Sequence, residues 1–356
     1  MLMSFRWYGA NNDSIPLEYI RQIPGMQAIV TSLFDIPVGE VWPLKRIVEV
    51  KNEIEKYGLV FCAVESVNVH ESIKLGEAAR DRYIENYIIT LKNLAQAEVR
   101  VVCYNFMPVF DWMRTDLALR LPDGSTALSY DHNVLKRLEP EQISEQMKKG
   151  AAGFMLPGWE PERLEKVKSL LERYQDVDAE KLFSNLRYFL QAVIPAAEEC
   201  GVVMALHPDD PPWSVFGLPR IANCKENLER ILTLVDWPAN GLTLCTGSLG
   251  ADPRNNIPGM IRHFGKMGRI HFAHVRNVRI VQDKVFYETA HKDADGSLDM
   301  YEIMKAFYDI GFAGPIRPDH GRMIWGERGR PGYGLYDRAL GAVYLTGLWD
   351  AIKRTR

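Results

Sequence analysis

Short apolar runs rich in β-branched and aromatic residues alternate along the chain with longer stretches of helical period, the pattern of a parallel α/β fold. Eight runs qualify as strands: Ser4–Tyr8, Ala28–Leu33, Leu59–Glu65, Arg100–Phe106, Val202–His207, Leu242–Cys245, Arg269–Val275 and Pro315–Asp319. Val101-Val102-Cys103 and Val202-Val203-Met204 are apolar on both faces, as strands covered on both sides must be. Eight parallel strands with helices between them predict a closed (β/α)8 TIM-type barrel. Between the strands, Leu164, Val167, Leu170, Leu171 and Tyr174 share a helical face, and Leu182, Leu186, Phe189, Leu190 and Val193 share another. These stripes read as core packing.

The interval from Phe106 to Val202 is too long for an ordinary crossover. It holds a turn signal, Pro122-Asp123-Gly124, and helical segments, so residues 107–200 are expected to form a helical insertion after the fourth strand. Residues 1–356 are otherwise read as a single barrel domain. The length agrees, since such a barrel takes about 250 residues and insertions account for the remainder.

Composition narrows the function. The chain is 47% hydrophobic and 25% charged, with a formal net charge of -3 and no basic block, which argues against nucleic acid as a partner. No run approaches the roughly 18 apolar residues of a membrane span. Five cysteines, 62, 103, 200, 224 and 245, form no CxxC pair. With an N-terminus that lacks a signal-peptide layout, they predict a cytoplasmic protein without disulfides.

Functional groups of such a barrel gather at the C-terminal ends of its strands. The last four predicted strands end in His207, Cys245, His274 and Asp319, each a metal-ligand type. Taken singly, each has a bland reading: a structural histidine, a packed cysteine, a helix-capping aspartate. Their joint placement on one arc of rim makes them candidate metal ligands. Strand alternation puts His271 and His274 on opposite faces, and His274 is the one expected to point into the barrel mouth. Two imidazoles, a thiolate and a carboxylate would leave positions open for substrate on a five- or six-coordinate ion. Ligand softness favours Zn2+ or Fe2+.

Nearby stand Arg276 and Asn277, suited to an anionic substrate, and His320, a candidate general acid or base. The glycine-rich stretch Gly326–Gly334 lacks a phosphate-cradling layout and reads as a mobile lid that delivers Tyr333. Asp293-Ala-Asp-Gly-Ser imitates a calcium loop, but Leu298 and Met304 occupy the positions where glycine and glutamate are required, so it is a turn.

Longer segments carry a family resemblance. They are Arg6-Trp-Tyr-Gly9, Ile23-Pro-Gly25, Pro37–Trp42, Tyr104–Leu117, His207-Pro-Asp-Asp-Pro-Pro212, Cys245-Thr-Gly-Ser248, His274-Val-Arg276, Arg317–Gly321 and Pro331-Gly-Tyr333. Over nearly the whole length the chain resembles the mannonate dehydratases, hydro-lyases of hexuronate and glucuronate degradation. The resemblance implies a TIM-like barrel binding a divalent cation, usually Mn2+, in tension with the preference of the thiolate. It implies His207, Cys245, His274 and Asp319 as ligands, His320 and Tyr333 as the catalytic pair, and Arg276 and Asn277 as substrate-holding residues. The implied reaction converts D-mannonate to 2-keto-3-deoxy-D-gluconate and water. Tyr333 is assigned to C2 and His320 to C3, with the opposite assignment open. The expected partner is a small sugar acid, and the expected assembly is a homo-oligomer, a dimer. A metal-dependent barrel isomerase, a metal-dependent endonuclease and a non-catalytic sugar-acid binder are the competing readings.

Overall fold

The computed structural model describes residues 1–139, 142, 145, 147, 149–151, 153 and 167–355. The eight expected strands are all present and close a parallel barrel. They are β1 (Leu2–Arg6), β2 (Ala28–Thr31), β3 (Val60–Glu65), β4 (Val101–Tyr104), β7 (Val203–Leu206), β8 (Asn240–Cys245), β9 (Ile270–His274) and β12 (Pro315–Arg317). The order around the barrel is β1-β12-β9-β8-β7-β4-β3-β2. Between β7 and β12 the register aligns Cys245 with His274, and His274 with Arg317. Three functional side chains are thereby brought level on adjacent strands.

Val30, Ala63, Cys103, Ala205 and Phe272 fill the barrel interior, while the larger core lies between the strands and the surrounding helices. The helix Ala179–Cys200 shows how sequence sets these elements. Asp178 caps its first turn by accepting from Lys181 N, Gly201 ends it with φ 68°, and Leu182, Leu186, Phe189, Leu190 and Val193 are all buried. It packs against the helix Arg80–Gln96 as part of the barrel's outer layer. Leu164 of the companion stripe lies outside the described residues, and Val167, Leu170 and Tyr174 are buried as expected.

The stretch 107–200 departs from a purely helical insertion. It opens with a hairpin, β5 (Asp116–Arg120) and β6 (Thr126–Asp131), turning at Pro122-Asp123-Gly124 with Gly124 at φ 83°. A second hairpin, β10 (Val278–Gln282) and β11 (Val285–Glu288), follows β9 and pairs with the first in the order β10-β11-β6-β5. Four short strands from two distant segments thus roof one end of the barrel. Each runs only four to six residues, too little for a period to declare itself. The calcium-like segment is a 3-10 turn over Asp293–Asp295, with Asp293 Oδ1 accepting from Met300 N. No described helix is long and apolar enough to cross a membrane.

His271 and His274 occupy opposite faces of β9. His271 packs outside the barrel, its Nε2 2.9 Å from Pro238 O and its ring where a Cβ on Gly241 would sit. Burial there disfavours the imidazolium and lowers the His271 pKa to about 4, from an ordinary value of 6.5. The neutral ring is the form that the fold prefers. Its contribution to stability is therefore complete above pH 6.5 and is lost as pH falls toward 4. Replacing His271 with Gln should flatten the decline of the urea midpoint across that window; an unaltered slope would contradict the assignment.

Candidate active site

The C-terminal rim of the barrel assembles the four expected ligands. His207 follows β7 and is fixed there by His207 N donating to Tyr104 O at 2.7 Å. Cys245 is the last residue of β8, and His274 the last of β9. Asp319 stands just beyond β12 with φ 61°, a left-handed conformation that an aspartate tolerates better than a β-branched residue does. One donor atom each from His207, Cys245 and His274 lies within 4.8 Å of the other two. Asp319 Oδ2 is 3.5 Å from Cys245 Sγ, and its Oδ1 is 3.7 Å from His274 Nδ1.

The donor chemistry fits a cation. His207 Nδ1 lies 2.7 Å from Pro208 O, an acceptor, so that nitrogen carries the proton and Nε2 presents a lone pair. His274 Nε2 lies 3.3 Å from Glu65 Oε2, and Arg317 Nη2, which can only donate, lies 3.4 Å from Nδ1, so Nδ1 is the lone-pair nitrogen. The two lone-pair nitrogens then face each other at 3.2 Å, with a sulfur and a carboxylate beside them. Opposed lone pairs repel at that distance unless a proton or a metal ion lies between them. The outer partners, Pro208 O and Glu65, are the kind that orient metal-bound imidazoles.

A second trio, Glu65, Cys103 and His274, also falls within 4.8 Å, but its chemistry is different. Glu65 is already neutralised by Arg6 at 3.0 Å and Arg317 at 2.8 Å. Burial pushes the Cys103 thiol well above its ordinary range, so it stays protonated.

His320 and Tyr333, the expected catalytic pair, are in direct contact. His320 Nε2 is 2.7 Å from the Tyr333 hydroxyl, and its Nδ1 is 2.9 Å from both oxygens of Glu288. Burial, followed by Tyr8, raises the Tyr333 pKa well above its ordinary value against the opposing pull of Arg317. The glycine-rich loop is not the free lid that its composition suggests. Gly332 O accepts from Gly321 N, Arg330 donates to Asn12 O at 3.0 Å, and Tyr333 is buried.

Arg276 and Asn277 do not reach the cavity wall. The Arg276 guanidinium is buried and spent on Glu288, on Asp210 at 2.8 Å, on Ser248 at 3.1 Å and on Asp319 at 2.6 Å. Asn277 donates to Lys292 O and Leu298 O and accepts from Val278 N and Leu298 N, so its amide ties a loop together. In this arrangement the Arg276 and Asn277 side chains are held by protein groups and stay outside the cavity wall. A cavity of about 820 Å³ opens on the rim, and its charged wall near the ligands is made by Arg6, Glu65, Asp210, Arg317 and Asp319, with His320 and Tyr333 beside them.

Glu65 ends β3 as predicted, so the strand-end rule that found the ligands also reaches it, while Arg6 ends β1 two residues short of the predicted limit at Tyr8. Asp210 lies inside the motif that begins at His207. Glu288 had no signal, because its hairpin was not recognised.

Burial alone would raise the pKa of every acid here, yet the neighbouring cations prevail. Glu65 is held well below the carboxylate range by Arg317, Arg6 and His274, and Asp319 by Arg317, His320 and Arg276. All of these acids are ionised near neutrality.

The solved mannonate dehydratase from Streptococcus suis serotype2 superposes with a TM-score of 0.91 at 46% identity, covering 100% of this chain and 95% of that one. A xylose isomerase domain protein from Planctomyces limnophilus, at 11% identity and a TM-score of 0.57 over 99% of this chain and 98% of that one, shares the fold alone. The mannonate dehydratase of Thermotoga neapolitana is 62% identical over 356 residues, 100% of this chain and 99% of the relative. With the D-mannonate dehydratase (UxuA) family model also matching residues 1–356, the chain belongs to the D-mannonate dehydratase family.

Proposed function

We propose that the rim site dehydrates D-mannonate to 2-keto-3-deoxy-D-gluconate and water, with a divalent ion held by His207, Cys245, His274 and Asp319. Manganese is the ion that the family resemblance favours, while the thiolate would suit Zn2+ or Fe2+. The observation that carries the reading is the pair of facing lone-pair imidazole nitrogens at 3.2 Å, within reach of the His320–Tyr333 pair through Asp319. When bound, the ion would supply positive charge against the substrate carboxylate and the charge that develops beside it.

The reaction removes the C2 proton and expels the C3 hydroxyl as water. A buried tyrosine with a raised pKa is a poor base on its own, but the 2.7 Å bond to His320 Nε2 gives its proton a destination. As the phenolic proton passes to His320, the Tyr333 oxygen takes the proton from C2. The imidazolium then gives its proton to the departing C3 oxygen, the enol product becomes the 2-keto acid, and both side chains regain their starting states. Glu288 supports the transient positive charge on His320 from the far side of the ring. Arg6 and Arg317 line the cavity as its nearest cations.

The same reading makes the protein a cytoplasmic enzyme of small sugar acids with no nucleic-acid partner. A dimer would have an exposed apolar run available on the last helix, Tyr336, Leu340 and Val343, beside Trp325.

Two outcomes are expected. Tyr333→Phe should abolish exchange of the C2 hydrogen with deuterated solvent and lower kcat by roughly 10²–10⁴-fold; retained exchange would remove Tyr333 as the base. Cys245→Ser should reduce metal affinity by more than the roughly 10–100-fold typical of losing an outer partner. Elemental analysis after dialysis reads this directly, and undiminished metal content would remove Cys245 from the ligand set.

A further inference from the structure

Glu288 ends β11, on the accessory sheet rather than the barrel, yet both its oxygens lie 2.9 Å from His320 Nδ1. We propose that Glu288 is a positioning residue for the dehydration: it accepts the Nδ1–H of His320, keeps Nε2 bare, and aims that nitrogen at the Tyr333 hydroxyl. This rests on the reading of His320 and Tyr333 as the acid–base pair.

Three observations support it. The buried guanidiniums that touch Glu288 have another acid. Asp210 binds Arg114 through two bonds, at 2.8 and 3.0 Å, and Arg276 at 2.8 Å. Of the two carboxylates, Glu288 is the one hydrogen-bonded to the His320 ring. Next, Glu288 is ionised and so accepts without donating. Burial raises its pKa, but Arg276, His320 and Arg114 bring it down to about 2. A charged acceptor at Nδ1 selects the tautomer whose Nε2 is free, the arrangement by which carboxylates orient histidines in hydrolase triads.

Lastly, one accessory sheet places both ends of the relay. Phe286 of β11 pairs with Tyr130 of β6, and their rings stack with centroids 5.8 Å apart, which fixes the strand that ends in Glu288. On the same β6, Thr126 bridges to Met323, and Leu128 fills the space that a Cβ on Gly332 would need. The loop carrying Tyr333 is thus held by the hairpin whose neighbour carries Glu288. Distances of 2.9 and 2.7 Å across His320 follow from that shared support.

The test begins with the 15N resonances of the His320 ring in metal-free protein at pH 8, identified by their loss in His320→Gln. The expected result is a protonated Nδ1 and a bare Nε2; a proton on Nε2 would overturn the proposal without any Glu288 variant. Glu288→Gln should then lower kcat by roughly 10²-fold or more with a smaller change in KM, and should shift the ring toward the other tautomer. Asp210→Asn is the comparison, because it removes a charge from the same two guanidiniums without a hydrogen bond to His320. It should lower the melting temperature to a similar degree but cost less kcat. Equal losses of kcat in the two variants, with the tautomer unmoved, would make Glu288 a structural acid only. Should His320→Gln itself keep full kcat, the acid–base reading fails instead, and the tautomer measurement still reports on Glu288.

Discussion

Three buried carboxylates, Asp210, Glu288 and Asp319, and the partly buried Glu65 are interleaved with four buried guanidiniums, Arg6, Arg114, Arg276 and Arg317. Neither set would remain charged in such a place alone, since an isolated buried ion loses its hydration without compensation. Paired, each acid keeps its charge and each arginine its direction. The consequence is geometric. Asp319 is held between Arg276 at 2.6 Å and Arg317 at 2.8 Å, and so faces Cys245 and His274. Glu65 is held by Arg6 and Arg317 and so stands behind His274. Glu288 is held by Arg114 and Arg276 and so stands behind His320. The convergence of the four candidate ligands and the His320–Tyr333 contact on one rim is therefore a property of this charge lattice as much as of the strands.

The barrel itself was legible because its strands are apolar on both faces and end in recognisable chemistry. β7, β8 and β9 end at or within one residue of their expected C-terminal limits, and these limits located His207, Cys245 and His274. At β1 the agreement was looser: the strand ends at Arg6 rather than Tyr8, so Arg6 belongs to the rim. The accessory sheet was hidden, since its four short strands pair across more than a hundred residues of sequence, and the first hairpin lies in a stretch whose later part is helical. Pairing between distant segments leaves no local period to read.

Arg276 and Asn277 show a different limit. Their position next to His274 suggested contact with substrate, and their residue types allowed it. Which partner satisfies an arginine depends on the acids that folding brings to it, here Asp210 and Glu288 from segments 66 residues before and 12 residues after. Adjacency in sequence locates a residue near a site, while the hydrogen-bond inventory decides whether it has anything left to offer a ligand. The same inventory shows the glycine-rich loop held in place, with Gly332 packed against Leu128 of β6 and Arg330 donating to Asn12 O.

Asp319 Oδ1 stands 3.7 Å from both His274 Nδ1 and His320 Nε2, between the proposed cation site and the proposed proton relay. On this proposal dehydration needs both halves at once. The direct measurement is turnover of D-mannonate by chelator-stripped protein before and after Mn2+ is returned, followed as 2-keto acid formed. The proposed site predicts no keto acid from the stripped protein and recovery when the ion is restored. Undiminished turnover by the stripped protein would contradict it.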